Sequence, residues 1–286
     1  MGKVFFVGAG PGDPELITVR GRRLLDEAQV VLYAGSLINT ALLDGLRAEC
    51  HDSAGMDLDE IVEVLEKAAS EGKRVVRLHS GDVSFYSAIT EQIHRLGERG
   101  IEVEVVPGVS SLAAGAAALG QELTVPEVSQ TVIVTRRAGR TPVPEKEAIE
   151  LLASHRATMV VFLSVGMMEE LAGELIEGGY PAGTPAAVIE RASWPGERVI
   201  RGTLEDIAGK VREAGITRTA LIYVGESLRA SLEAPGKTSR LYHRDFRRGR
   251  GDALPPGRGE APLARCGRLY IFHLHGHRRP CGGPPP

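Results

Sequence analysis

Residues 78–86, with the sequence LHSGDVSFY, bring several groups able to bind or transfer a proton into one short stretch. An apolar run with β-branched residues precedes this stretch and a helix-period pattern follows it, which predicts a strand-to-helix turn. Gly81 permits a positive φ or a close backbone approach to a ligand, and Asp82 adds a carboxylate beside the free amides of the coming helix. Asp82, His79 and Tyr86 are therefore candidate proton acceptors.

The same turn also has a purely structural interpretation. Serine, aspartate and glycine before a helix are ordinary capping residues. His79 fits a surface residue at the end of a strand, and Tyr86 fits an aromatic residue of the core. For His79 and Tyr86 we favour these structural interpretations.

A second glycine-rich turn, residues 8–14 with the sequence GAGPGDP, follows the first predicted strand at residues 3–7. A dinucleotide fingerprint needs a third glycine where this chain has Asp13, and Pro11 removes an amide from the phosphate cradle, so a nicotinamide or flavin site is excluded. Asp13 is expected to cap a helix that begins at Pro14 and runs to about Ala28. A turn that only reverses the chain remains an alternative.

Together the two turns resemble those of the tetrapyrrole (corrin and sirohaem) methyltransferases, in which an early strand ends in G-x-G-P-G-D and a later one in G-D-x-S or G-D-P. Residues 33–37 (YAGSL) and 135–144 (TRRAGRTPVP) are similar to the branch that methylates carbon 11 of precorrin-4 or its cobalt form. The resemblance extends over residues 3–242. It implies a cytoplasmic, homodimeric enzyme of cobalamin biosynthesis.

The resemblance also implies S-adenosylmethionine as methyl donor, lying in the cleft between two domains. Because this donor has no phosphates, its site needs backbone groups and a close apolar wall. The positions that match cofactor contacts in the family are Pro11, Gly81, Asp82, Val83, Phe85, Ser110, Ser111, Phe162, Leu163, Ala187, Thr219 and Ala220. Val83 departs from the proline common at its position, which predicts an altered cofactor affinity.

Transfer of a methyl group from a sulfonium to carbon neutralises charge, so alignment in a water-poor site supplies much of the rate. An electron-rich tetrapyrrole carbon needs no protein nucleophile. A base or a water molecule is enough to take up the proton that leaves later. Asp82 is the predicted catalytic residue.

A precorrin carries many carboxylates, and guanidinium groups bind carboxylates in bidentate geometry. Arg136, Arg137 and Arg140 lie together in a predicted loop after a strand, and the resemblance assigns them to the substrate together with Ser36. A solvated basic loop is the structural alternative for the arginines.

Two other functions stay open. One is methylation at a different ring position of a precorrin or of uroporphyrinogen. The other is a non-catalytic protein that binds a tetrapyrrole or a nucleoside and forms no S-adenosylhomocysteine.

The order of predicted elements is strand, helix, strand through residue 112, and more closely spaced strands follow. This pattern predicts an α/β protein with a parallel-rich N-terminal sheet and a mixed C-terminal sheet. We expect an N-terminal domain at residues 1–112, a C-terminal domain at 113–228 and an extension at 229–286. The extension is rich in proline and glycine and is expected to be disordered after about residue 243.

Composition excludes several classes of protein. The 286 residues are 43% hydrophobic and 25% charged with a formal net charge of -3, so charge indicates no nucleic-acid partner. No signal peptide and no apolar run of about 20 residues is present, which indicates a protein with no membrane partner. Cys50, Cys266 and Cys281 lack metal-type spacing and are expected to be free thiols. The run of alternating histidines at residues 273–277 has no nearby carboxylate, so no metal is expected.

Overall fold

The first of two five-stranded sheets arises from buried strands that alternate with helices. The computed structural model describes residues 2–230, without the side chains of Ser36 and Ala230. All of them belong to one compact unit. The predicted extension therefore lies almost wholly outside the described residues, as do Cys266, Cys281 and the histidine run.

The first sheet is entirely parallel, with the strand order β3-β2-β4-β1-β5. Its strands are β1 (Lys3–Gly8), β2 (Val30–Tyr33), β3 (Glu49–Asp52), β4 (Val75–His79) and β5 (Glu102–Val106). Apolar runs at residues 3–7, 30–33, 74–78 and 101–106 predict strands, so all except β3 were predicted. The sequence ECHD of β3 is polar and mostly exposed at the edge of the sheet, so it lacks the apolar pattern that identifies the other four.

Helices cover both faces of this sheet. They are α1 (Val19–Asp26), α2 (Leu58–Ser70) and α3 (Ile89–Glu98), with short 3-10 helices at Gly35–Leu37 and Thr40–Leu42. Asp57 and Glu60 form a capping box at the start of α2. The apolar residues of this segment fall on one face of a helix, which predicts the helix that is present.

The single helix expected between Asp13 and Ala28 is instead two pieces. Asp13 caps only a 3-10 helix, Pro14–Leu16, by accepting a hydrogen bond from the amide of Glu15. The α-helix starts after Thr18, whose hydroxyl accepts from the amide of Gly21. The prediction of one helix is wrong because a second capping residue interrupts the segment.

The second sheet is mixed, with the order β6-β7-β10-β8-β9. Its strands are β6 (Val132–Arg136), β7 (Thr158–Phe162), β8 (Pro185–Glu190), β9 (Arg198–Thr203) and β10 (Ala220–Val224). Among the hydrogen-bonded neighbours in this sheet, β6 and β7 pair in parallel and the other three pairs are antiparallel. The fold class predicted from the sequence is confirmed.

The remaining helices pack on the two faces of the second sheet. They are α4 (Ser111–Leu119), α5 (Ile149–Ala153), α6 (Met168–Glu177), α7 (Ile207–Glu213) and α8 (Ser227–Ala230), with 3-10 helices at Glu145–Glu147 and Val165–Met167. The expected domain boundary near residue 112 falls at the start of α4, and both sheets belong to one compact unit, so the boundary stays a prediction. No helix among the described residues is long and apolar enough to cross a membrane.

Helix α4 packs against β10 through a glycine. A Cβ on Gly115 would lie 2.2 Å from the hydroxyl oxygen of Tyr223, a fully buried residue. That hydroxyl donates a 2.8 Å hydrogen bond to the carbonyl of Leu112. Gly115 thus provides the space in which α4 meets the second sheet.

We predict that Gly115→Ala lowers the free energy of unfolding by about 1–3 kcal/mol, because the new methyl group overlaps the Tyr223 hydroxyl. Gly173→Ala in α6 is the matched control. A Cβ there meets nothing within 4 Å, so helix propensity alone acts and stability rises by about 0.5–1 kcal/mol. Urea denaturation of both variants measures the difference, and equal stabilisation by the two would contradict the packing argument.

Candidate functional site

Three backbone segments meet where β1, β4 and β5 end. A Cβ on Gly8 would lie 2.6 Å from the Cα of Gly108, and one on Gly108 would lie 2.3 Å from the carbonyl oxygen of Gly81. Gly10 and Gly81 exchange backbone hydrogen bonds of 3.2 and 2.7 Å. Because no side chain fits between these segments, glycine is required where they cross.

Asp82 links two of these segments. Its Oδ2 accepts a 2.7 Å hydrogen bond from the amide of Gly108, and its Oδ1 accepts one of 2.9 Å from the amide of Ser84. The expectation that Asp82 lies beside the free amides of the following helix is wrong: α3 begins after Ala88, which has a left-handed backbone and no side-chain cap. Both carboxylate oxygens bind backbone donors, so the structure places Asp82 in a positioning role, and its catalytic role stays a prediction.

A cavity of about 580 Å³ opens at this crossing, between the strand ends of the first sheet and the inner face of the second. Its volume falls within the range of about 300–1,000 Å³ that is usual for small-molecule sites. All predicted cofactor residues line it except Val83 and Ala187, which are 2% and 1% exposed in the core. The residues predicted for the cofactor therefore form part of this wall.

Aromatic rings join the two sheets across the cavity. Phe162 at the end of β7 stacks on Phe85 with 6.0 Å between ring centroids and contacts Tyr86 at 5.1 Å. Tyr86 is 44% exposed, so its predicted place in the core is wrong. These rings supply an apolar wall that both sheets share.

Trp194 is a cavity residue that sequence reasoning missed. Its indole N–H donates a 2.8 Å hydrogen bond to the carbonyl of Pro11, and its ring occupies the space that a Cβ on Gly12 would fill. Next to it, the Ser193 hydroxyl accepts from the amide of Asp13 at 3.0 Å. The loop between β8 and β9 therefore holds the glycine-rich turn in place. The small residues of the GPGD sequence were the only signal of this contact in the sequence.

Several residues around the cavity have backbones in the left-handed region. Tyr86, Leu163, Arg191 and Thr219 have φ between 50° and 55° although none is glycine. Each such conformation costs of order 1 kcal/mol or more and is typical of functional sites. Leu163 is 70% exposed at the cavity wall, an arrangement that points an apolar side chain toward a ligand.

The three predicted substrate arginines lie outside the cavity lining. Arg136 donates to the carbonyls of Thr141 and Pro142 at 3.1 and 2.6 Å, and Arg137 forms a 2.6 Å ion pair with Glu174. Arg140 is exposed in the same loop. Ser36 belongs to the 3-10 helix Gly35–Leu37, and its side chain is not described. The loop is shaped by two of its arginines, and their role toward a substrate stays a prediction.

His79 lines the cavity but is only 5% exposed, so its predicted position on the surface is wrong. Its ring stacks on Phe6 at 5.8 Å, and its Nε2 is buried with no partner among the described residues. Burial, with a smaller contribution from the charge of Arg77, lowers the pKa of His79 to about 3. The imidazole is therefore neutral at pH 7 and a weak proton acceptor.

No group of three or more histidine, cysteine, aspartate or glutamate side chains in the described part of the chain is placed to hold a metal ion. Cys50 is an exposed free thiol.

A model of the family described as tetrapyrrole (corrin/porphyrin) methylases matches residues 3–208. A cobalt-precorrin-4 C(11)-methyltransferase of Methanocaldococcus jannaschii is 55% identical over 85% of this chain and 94% of its own. A precorrin-4 C(11)-methyltransferase of Pseudomonas aeruginosa is 52% identical over 86% of this chain and 98% of its own.

Two solved structures are also similar to this chain. The X-ray structure of a cobalt precorrin-4 methyltransferase of cobalamin biosynthesis has a TM-score of 0.77 and 45% identity, with 79% of this chain and 95% of that chain covered. The uroporphyrin-III C-methyltransferase of Thermus thermophilus, complexed with S-adenosylhomocysteine, has a TM-score of 0.70 and 35% identity, with 80% of this chain and all of that chain covered.

We predict that Asp82→Ala lowers the free energy of unfolding by about 1–3 kcal/mol, since the amides of Gly108 and Ser84 lose a charged acceptor. Glu63→Ala, on the exposed face of α2, is the control and changes stability by less than about 0.5 kcal/mol. Chemical denaturation measures both values. A stability loss no larger for Asp82→Ala than for Glu63→Ala would show that the link between the segments is weak.

We predict that stability falls as the pH is lowered from 7 to 5 through His79. The folded-state pKa is about 3 and the unfolded value about 6.5, so below pH 6.5 the unfolded chain binds a proton that the folded chain does not. This difference costs about 2 kcal/mol at pH 5. When both proteins are denatured at pH 7 and pH 5, His79→Gln should lose correspondingly less stability than the parent. Equal losses would indicate that the pKa of His79 in the folded protein is close to its ordinary value.

Proposed function

We propose, because the chain belongs to the tetrapyrrole (corrin/porphyrin) methylases, that it is the S-adenosylmethionine-dependent C-methyltransferase that methylates carbon 11 of precorrin-4 or cobalt-precorrin-4 in cobalamin biosynthesis. The observation that carries this proposal is the agreement, over more than four fifths of the chain, with relatives named for that one reaction. The cavity lies where such a reaction needs it, at the carboxyl ends of the parallel strands.

The cavity wall fits S-adenosylmethionine in its chemistry. Gly81 brings a bare backbone segment to the cavity with φ of 63°, and a Cβ there would lie 3.5 Å from the amide nitrogen of Ser111. Phe162, Leu163 and Ile189 supply apolar surface around it. Backbone groups and apolar side chains are the partners that an uncharged adenosine moiety requires.

When bound, S-adenosylmethionine supplies a methyl group made electrophilic by its sulfonium. Carbon 11 of the macrocycle donates the electron pair of the new bond, and the pair of the broken carbon–sulfur bond remains on sulfur as S-adenosylhomocysteine. The protein's part is to hold the turn at Asp82 in place and to exclude water through Phe85, Tyr86 and Phe162. Alignment of this kind supplies a large share of the barrier reduction.

Asp82 is also our candidate for the catalytic residue that accepts the departing proton, although its oxygens bind backbone amides. His79 suits this role poorly because of its low pKa. We further propose that Ser36 and the arginine loop at residues 136–140 contact the substrate, and that the enzyme acts as a cytoplasmic homodimer.

Methylation at another ring position is the second candidate, because the Thermus thermophilus enzyme, named for uroporphyrin III, is also similar to this chain. Incubation of the protein with S-adenosylmethionine and precorrin-4, cobalt-precorrin-4 or uroporphyrinogen III distinguishes the candidates. We expect S-adenosylhomocysteine and a product one methyl group heavier from a precorrin-4 form, with the new methyl assigned to carbon 11 by NMR. Binding without S-adenosylhomocysteine would indicate a non-catalytic protein.

We predict that Gly81→Val weakens S-adenosylmethionine binding about tenfold or more, equivalent to about 1.4 kcal/mol, because a branched side chain enters the cofactor wall. Gly72→Val is the matched control. Gly72 also has a positive φ of 77° with nothing within 4 Å, but it lies in the turn between α2 and β4. Both variants pay a backbone cost of about 1–3 kcal/mol in stability. Equal calorimetric affinities of the two would move the cofactor site away from Gly81.

A further inference from the structure

Arg77 is a buried cation without an acidic partner. The residue points from β4 toward the face of the sheet that α3 covers, is 4% exposed and lines the cavity. It takes part in no ion pair among residues 2–230, and burial alone lowers the pKa of its guanidinium to about 10. Arg77 is therefore still charged at neutral pH.

An unpaired buried charge is costly for a fold. A buried cation is commonly neutralised by a carboxylate within about 4 Å, whereas the partners of Arg77 are neutral. Its Nε donates to the amide oxygen of Gln92 at 3.3 Å, and its Nη1 donates to the hydroxyl oxygen of Ser53 at 2.9 Å. The fold therefore keeps a buried, unpaired charge at position 77, where an apolar residue of similar length would avoid its cost.

The two neutral partners are themselves held in place. Gln92 donates from Nε2 to the carbonyl of Ala88 at 3.2 Å, and the Ser53 hydroxyl donates to the carbonyl of Tyr33 at 2.9 Å. These bonds orient both oxygens toward Arg77. The guanidinium plane is consequently fixed before any ligand arrives, a condition for tight recognition.

Donors remain free on this guanidinium. Arginine has five N–H donors, and the described residues engage Nε and Nη1 but not Nη2. Nη2 is not fully buried, and Arg77 is one of the residues that line the cavity. A planar group with free donors next to a cavity is suited to a carboxylate.

The position of Arg77 favours the tetrapyrrole over the cofactor. Ser53 follows β3 and Gln92 lies in α3, so the group belongs to the β3-β2-β4 side of the sheet. The residues assigned to the cofactor follow β1, β4, β5 and β7, lie in β8 or open β10, and none of them follows β3 or lies in α3. The carboxylate of the methionine moiety is the other possible source of the same chemistry.

We propose that Arg77, held by Gln92 and Ser53, is a carboxylate-binding subsite at the floor of the cavity that anchors one peripheral carboxylate of the tetrapyrrole. This inference rests on the proposed function for the identity of the substrate. It assigns substrate recognition to a buried strand residue in addition to the exposed arginine loop.

The test compares Arg77→Met, Arg77→Lys and, as control, Arg74→Met, which removes an exposed arginine paired with Glu27 just before β4. Three quantities are measured on each protein: affinity for uroporphyrin III by fluorescence titration, affinity for S-adenosylhomocysteine by calorimetry, and the urea midpoint. Uroporphyrin III is the probe because it is a stable tetrapyrrole with acetate and propionate groups.

We expect Arg77→Met to bind uroporphyrin III about tenfold or more weakly, with S-adenosylhomocysteine affinity unchanged and a urea midpoint at least equal to that of the parent. Arg77→Lys keeps the charge but loses the planar guanidinium group, so its affinity for uroporphyrin III should lie between those of the parent and Arg77→Met. Arg74→Met should bind uroporphyrin III as the parent does. The midpoint should be equal or higher because the substitution removes an unpaired buried charge. If Arg77 had only a structural role, its replacement would not weaken uroporphyrin binding while the urea midpoint stayed equal or rose.

Three results would overturn the proposal. They are an unchanged uroporphyrin affinity in Arg77→Met, a parent protein that does not bind uroporphyrin III, and a loss confined to S-adenosylhomocysteine, which would assign Arg77 to the cofactor. If Arg77→Met does not fold, Arg77→Lys decides by the same affinities. A parent that binds uroporphyrin III through Arg77 but does not methylate precorrin-4 would refute the proposed function and leave the subsite standing.

Discussion

The close approach of Gly8, Gly81 and Gly108 is the contact on which the arrangement of the site depends. With no side chains between them, the ends of β1, β4 and β5 meet through backbone atoms, and the carboxylate of Asp82 joins two of the three segments. A larger residue at Gly8 or Gly108 would separate the strands by more than the sheet allows. The cavity wall at Gly81 is therefore formed by backbone atoms in direct contact.

The second sheet completes the cavity from the opposite side. Phe162 meets Phe85 and Tyr86, and Trp194 reaches the carbonyl of Pro11. The left-handed backbones of Leu163, Arg191 and Thr219 occur on this side, where strands of the second sheet end. Strain at these positions is offset by the packing of the sheets, and the result is an apolar wall suited to a reaction that consumes charge.

Charges in the cavity are distributed in a way that separates the two ligands. Asp82 is satisfied by backbone amides and His79 is neutral, so neither places a free charge beside a sulfonium. Among residues 2–230, Arg77 is a buried cation that forms no ion pair, and its hydrogen-bond partners follow β3 and lie in α3. In our proposal, Arg77 is the anchor for a carboxylate of the substrate on the side of the cavity next to β3 and α3.

The sequence by itself determined the features that depend on neighbouring residues. Apolar periodicity located α2 and the strands β1, β2, β4 and β5 but not the polar β3, and the two glycine-rich turns identified part of the cavity wall. Only the tertiary structure decided which distant groups meet. Asp82 binds Gly108, 26 residues away, and Trp194 binds Pro11, 183 residues away. In the sequence, Arg77 is one charged residue within a predicted strand. The sequence shows this charge but does not show whether folding places a carboxylate beside it.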